Sequence, residues 1–154
     1  MTGKAVPVAI LLVEDSPADA RLTLEAMKDS KLLNKMYHVG DGVEAMAFLR
    51  NQGKYAGMPR PDLVLLDLNM PRKDGRQTLK EIKEDPALKR IPVVVLTVSS
   101  AEEDIIKSYD LHANCFVTKP LDLDEFAKVV QGIENFWFEI VRLPPEVKSK
   151  TDEK

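Results

Sequence analysis

Four short runs of aliphatic residues recur along the chain: VAILLV (8–13), DLVLLD (62–67), PVVVLT (92–97) and NCFVTK (114–119). They are apolar at consecutive rather than alternate positions, as a parallel strand buried on both faces requires. A fifth stretch, KMYHV (35–39), alternates and predicts an edge strand. The segments between them open on helix-start signals. Ser16 precedes Pro17, Asp41 has Glu44 three residues on, Ser99 and Ser100 are followed by Glu102 and Glu103, and Asp122 pairs with Glu125. Apolar residues at helical spacing follow: Ala20, Leu24 and Met27; Ala45, Met46 and Leu49; Leu79 and Ile82; Ile105, Ile106 and Tyr109; and a last series from Phe126 through Ile133 to Trp137 and Val141. Strand and helix therefore alternate five times. This predicts an α/β fold, a doubly wound parallel sheet of five strands with right-handed crossovers, whose ligand crevice lies at the carboxyl ends of the strands.

The 154 residues fit one domain, expected over 7–143 after a short N-terminal extension (1–6). Pro144-Pro145 ends the last helix, and the tail over 144–154 is expected to be disordered. With 44% apolar and 31% charged residues the composition is that of a soluble globular protein, and the net charge of -3 argues against non-specific nucleic-acid binding. Cys115 is the lone cysteine, which leaves no disulfide framework and suits a reducing compartment. The apolar runs are too short to span a bilayer and the N-terminus has no signal-peptide pattern. The expected location is the cytoplasm, with neither membrane nor nucleic acid as partner.

The residues that end the strands carry the chemistry. Glu14 and Asp15 follow the first strand, Asp67 ends the third, Thr97 the fourth and Lys119 the fifth. In an open α/β sheet these positions converge on one crevice although they are spread over the whole chain. Three carboxylates there repel one another unless a cation intervenes. The donors are oxygens only, which favours Mg²⁺, with Mn²⁺ as a substitute. Lys119 is cationic and a poor metal ligand, so its place beside the acids makes sense if an anion joins them, to which the Thr97 hydroxyl can also donate. A phosphoryl group would bridge the cation, Thr97 and Lys119, and Asp67 is the natural nucleophile for an aspartyl phosphate.

The quartet LLVEDS, LVLLDLNMPRKDG, VVVLTVS and CFVTKP resembles the response-regulator receiver domain of two-component signalling, over residues 7 to 135. The resemblance implies a flavodoxin-like sheet of order 2-1-3-4-5. It implies that Asp67 accepts a phosphoryl group from a histidine kinase and that Glu14 and Asp15 hold Mg²⁺, with Asn69 adding its backbone carbonyl. It implies a cis Lys119-Pro120 bond and a switch in which Thr97 moves to the phosphoryl group and Phe116 rotates inward, read out on the face of the fourth helix, fifth strand and fifth helix. Phe116 stands where many relatives have tyrosine, and Val98 where a small residue is usual, so Val98 crowds access to the phosphoryl group. NMPRKDGR, SYDLHANCFVTKP and IENFWFEIVRLPP are similar to the stand-alone receivers that partner bacterial and cyanobacterial phytochrome histidine kinases.

The last helix widens its apolar surface at Phe136, Trp137, Phe138, Ile140 and Val141, more than one face needs, which points to a homodimer through Phe136, Trp137, Ile140 and Val141; the alternative is that Pro144-Pro145 folds the helix end back over its own domain. His38 and His112 are expected to stand apart from the acids in structural or solvated roles, Cys115 to be a small buried hydrophobe, and Arg60, Arg72, Lys73 and Arg76 to form a basic rim near Asp67. Two other classes share parts of this pattern. A small Mg²⁺-dependent phosphohydrolase with an aspartyl nucleophile, of the haloacid-dehalogenase kind, would carry a second Asp at position 69, where Asn69 stands. A flavodoxin-like nucleotide module would need a glycine-rich phosphate loop after the first strand, where the two acids stand instead.

Overall fold

The consecutive aliphatic runs become strands where the pattern places them. The computed structural model describes residues 7–31, 33–68, 75–97, 115–118 and 131–135. Its strands are β1 (Val8–Val13), β2 (Asn34–Val39), β3 (Leu63–Asp67), β4 (Val93–Thr97) and β5 (Cys115–Thr118), and its helices α1 (Pro17–Lys28), α2 (Gly42–Leu49) and α3 (Gly75–Glu84). All pairings are parallel, in the order β2-β1-β3-β4-β5. This is the expected doubly wound order, with β3 in the centre and β2 at an edge. Strand limits shift by one residue at several ends, as strand termini commonly do.

Consecutive residues of a strand face opposite sides of the sheet, so each continuous apolar run supplies two cores at once. Leu11, Val13, Val64, Leu66, Val93 and Val95 pack with Ala45, Met46 and Leu49 of α2 and Leu79 and Ile82 of α3. Their neighbours Ile10, Leu12, Leu63, Leu65, Val94 and Leu96 pack with Ala20 and Met27 of α1 and with Ile133. Ile133 lies in the helical stretch 131–135, where the last apolar series predicts a helix. The buried Glu134 beside it accepts hydrogen bonds from the Ser30 hydroxyl and the Lys31 amide, both 2.6 Å, and fastens this stretch to the turn after α1.

The helix starts obey the capping signals. The Ser16 hydroxyl accepts from the Asp19 amide (3.2 Å) with Pro17 at the first helical position, and the Asp41 carboxylate accepts from the Glu44 amide (2.9 Å). These bonds satisfy amides that the first turn leaves without a partner. After α2 a 3-10 turn (Gly53–Tyr55) folds back so that the Tyr55 hydroxyl reaches the Glu44 carboxylate (2.6 Å), while Phe48 packs between Tyr37 and Tyr55. Burial and this bond push the Tyr55 phenol up to about 12. The helix starts at Ser99, Ser100 and Asp122, the extension 1–6 and the tail 144–154 lie outside the described residues.

α3 docks on the carboxyl end of β3 through Gly75. Its amide donates to the Leu68 carbonyl (2.9 Å), and a Cβ at this position would run into the Asp67 carbonyl oxygen and the Leu68 Cα. Both are backbone atoms that no side-chain rotation can move. Gly75→Ala is therefore expected to cost about 3 kcal/mol, the upper range for overpacking, measured by urea unfolding. Lys80→Ala, at an exposed position of the same helix, should change stability by under about 0.5 kcal/mol.

Candidate functional site

Strand register gathers the chemistry. Val13 pairs with Leu66, so Glu14 and Asp67 emerge side by side, and Asp67 pairs with Leu96 on its other flank. One step further, Thr97 pairs with Thr118, and Lys119 is the next residue of the chain. The carboxyl ends of β1, β3, β4 and β5 thus lie in successive rows of the sheet, although about a hundred residues separate the first from the last.

Glu14, Asp15 and Asp67 each bring a carboxylate oxygen to within 4.8 Å of the others. Glu14 and Asp67 are buried and Asp15 is exposed, so the cluster has one open side. Among the described residues Glu14 is held by three bonds. Its amide donates to the Val39 carbonyl (3.1 Å), its carboxylate accepts from the Ser16 amide (3.2 Å), and its carbonyl accepts from Nε2 of His38 (2.8 Å). Ser16 also caps α1, so one residue ties the acidic pair to the helix start. Asp67 is held from behind by α3, through the approach of Gly75 to its backbone.

The donor set fits a hard divalent cation. It is made of carboxylate oxygens without nitrogen or sulfur, which suits Mg²⁺ or Mn²⁺. Two oxygens on opposite sides of Mg²⁺ stand about 4.2 Å apart, so oxygens within 4.8 Å of one another need only small rotations to share an ion. The exposed flank at Asp15 leaves room for the waters that Mg²⁺ keeps.

The remaining site expectations fare unequally. Thr97 ends β4 in the row after Asp67, and Phe116 lies in β5 opposite Val95; what their side chains do lies outside the described residues. So do Lys119, Pro120, Asn69 and Val98, the cis bond, Arg72, Lys73, His112, and the helix end with Phe136, Trp137, Ile140 and Val141. Arg60 does not belong to the basic rim. It precedes β3, a strand's length from Asp67, and its guanidinium donates to the Ala87 carbonyl (2.6 Å). Nearness in sequence misled here, because a strand advances about 3.3 Å per residue. Arg76 follows Gly75 at the start of α3, next to the residue that lies against the Asp67 backbone. Nor does His38 stand apart from the acids, since it holds the Glu14 carbonyl. The signal that could have found it is register: β2 and β1 run in parallel, so a residue near the end of β2 lies beside the end of β1.

Comparison with known proteins agrees with this site. Residues 10–131 match the response regulator receiver domain family. The chain belongs to that family, and as a receiver domain it is a signalling protein. Response regulator Rcp1 of Synechocystis sp. is 57% identical over 138 residues, 90% of this chain and 94% of its own. The crystal structure of the phosphorylated cyanobacterial phytochrome response regulator RcpA aligns with a TM-score of 0.83 at 54% identity, covering 91% of this chain and 100% of that one. The Mn²⁺-bound form of Rcp1 aligns at 0.81 and 57% identity, covering 90% and 100%. The match is to the receiver family rather than to a phosphohydrolase or nucleotide-module family.

Removing one of the three clustered charges should relieve repulsion when no cation is present. Asp67→Asn is expected to unfold about 1 kcal/mol later than wild type in chelator, a cautious fraction of the Coulomb energy of charges this close. Wild type should gain about 2.7 kcal/mol at a Mg²⁺ concentration a hundredfold above its dissociation constant, and the variant much less. Urea unfolding with chelator and with Mg²⁺ measures both.

Proposed function

We propose that the protein is a phospho-accepting switch in which Asp67 takes a phosphoryl group from the phosphohistidine of a histidine kinase. The convergence of Glu14, Asp15 and Asp67 in a chain that belongs to the receiver family carries this reading. An oxygen of Asp67 attacks phosphorus, the P–N bond to the donor imidazole breaks, and the imidazole keeps the electron pair and takes up a proton. Glu14, Asp15 and Asp67, with the backbone carbonyl of Asn69, would hold the Mg²⁺ ion. When bound, that cation offsets the charge on the phosphoryl oxygens and on the attacking carboxylate. Thr97 donates to one phosphoryl oxygen and Lys119 pairs with another. The same residues orient water for the return hydrolysis, and the bulk of Val98 slows access. The chain itself thereby promotes both phosphoryl gain and loss.

Signal leaves through Thr97 and Phe116. The Thr97 hydroxyl moves towards the phosphoryl group, the Phe116 ring fills the space it leaves, and the face formed by the fourth helix of the sequence pattern, the fifth strand and the fifth helix changes shape. The kinase is of the phytochrome type, supported by the likeness to Rcp1 and RcpA. A homodimer through Phe136, Trp137, Ile140 and Val141 is part of the proposal, supported by the density of large apolar residues in this stretch. The cytoplasm is the fitting location, where a kinase can reach Asp67 and Cys115 stays reduced.

Two experiments test these parts. Intact-mass analysis after acetyl phosphate treatment should show one added phosphoryl group on wild type, dependent on Mg²⁺ and lost to hydroxylamine, and none on Asp67→Asn. Equal gain by both proteins would remove Asp67 as acceptor. In sedimentation velocity, wild type is expected to run as a dimer and Trp137→Glu as a monomer, with a loss of at least about 2 kcal/mol in association for a central aromatic anchor. A wild-type monomer at every concentration would end the dimer reading.

A further inference from the structure

The acidic pair is carried by the short turn between β1 and α1, and a turn that holds two like charges needs its backbone restrained. Among the described residues, three bonds restrain it on the Glu14 side. The Val39 carbonyl and the Ser16 amide belong to the backbone, which every sequence of this fold possesses. The third partner is a side chain, the imidazole of His38. A carbonyl oxygen can only accept, so Nε2 of His38 carries the proton and donates.

The bonded atom is the oxygen of the peptide unit that joins Glu14 to Asp15. That unit is rigid and planar, so fixing its oxygen also fixes the direction of the Asp15 amide and the position of the Asp15 Cα. His38 reaches it because β2 pairs in register with β1, with Leu12 opposite His38 and Val13 opposite Val39, which leaves Glu14 just beyond the imidazole. The ring is exposed and lies outside the buried cores, so it has little packing work to do. A side chain on the edge strand thereby reaches across to the backbone of the acidic pair.

We infer that His38 is a positioning residue for the cation site: by donating to the Glu14 carbonyl it holds the Glu14-Asp15 peptide in the orientation that lets both carboxylates converge with Asp67. The inference rests on the reading of Glu14, Asp15 and Asp67 as a divalent-cation site. Without the bond the peptide plane is free to turn, the Asp15 carboxylate swings away from the cluster, and binding must reorder it.

The test is calorimetric titration of Mg²⁺ and of Mn²⁺ into wild type, His38→Ala, His38→Phe and His38→Gln. Lys35→Ala on the same exposed edge strand serves as control and Asp15→Asn as the broken site. His38→Ala and His38→Phe are expected to bind both cations about tenfold more weakly, the lower range for loss of a group that orients a ligand. His38→Gln, whose amide donates at similar reach, should stay within about twofold of wild type, and so should Lys35→Ala. Melting temperatures in chelator should be alike for His38→Phe and His38→Gln, which separates positioning from folding even if His38→Ala is unstable. The inference is overturned if His38→Phe binds as tightly as wild type, or if His38→Gln loses as much as His38→Phe. Failure of the site itself shows differently: wild type and Asp15→Asn would then bind equally weakly, and the His38 inference would fall with it.

Discussion

Repulsion among Glu14, Asp15 and Asp67 is the constraint around which the rest of the molecule is arranged. Two of the three carboxylates are buried, with oxygens within 4.8 Å of the third. A chain left to itself would keep such charges apart and in water. The sheet prevents that, because β1, which leads directly into Glu14 and Asp15, and β3, which ends on Asp67, are locked by apolar packing on both faces. Hydrophobic burial therefore stabilises an electrostatically unfavourable arrangement, and the arrangement becomes favourable once a cation is shared. In the proposed reading a phosphoryl group at Asp67 would add further charge at the same place, so a small covalent change there would bias the conformation of a whole domain.

The supports of the site are short-range and mutually dependent. Ser16 caps α1 and also donates its amide to the Glu14 carboxylate, so the position of the acid and the start of the helix are set together. Gly75 lets α3 come against the Asp67 backbone, closer than any residue with a Cβ could. On the far side of the sheet Glu134 binds the turn after α1 through Ser30 and Lys31, which joins the helical stretch 131–135 to the element that begins at the acids. A displacement at the strand ends would thus be felt by α1, by α3 and by the last helical stretch, three elements that share no sequence neighbourhood.

Much of this was legible in the order of residues, for physical reasons that can be named. Continuous aliphatic runs identified strands because burial on both faces removes the need for polar positions, and the caps at Ser16 and Asp41 were readable because the first amides of a helix need acceptors. The acidic cluster was legible because parallel strands bring their carboxyl ends to one edge. Arg60 and His38 were not. Arg60 is near Asp67 in sequence but lies beyond the opposite end of β3 from it, while His38 is 24 residues from Glu14 and bonded to it. Both depend on register and on which end of a strand a residue occupies, which composition and periodicity do not encode. Gly75 was read as part of a motif, whereas its requirement comes from the close approach of two backbones, a three-dimensional fact.

The central claim is that Asp67 itself carries the phosphoryl group, and chemical trapping of the acyl phosphate tests it most directly. Borohydride reduces an aspartyl phosphate to homoserine and leaves ordinary carboxylates, phosphoserine and phosphohistidine intact. After treatment with a phosphoryl donor and Mg²⁺, peptide mapping should find homoserine at position 67 and nowhere else, and none when Mg²⁺ is withheld. Homoserine at position 15 instead, or a phosphorylated protein in which position 67 remains aspartate, would contradict the account.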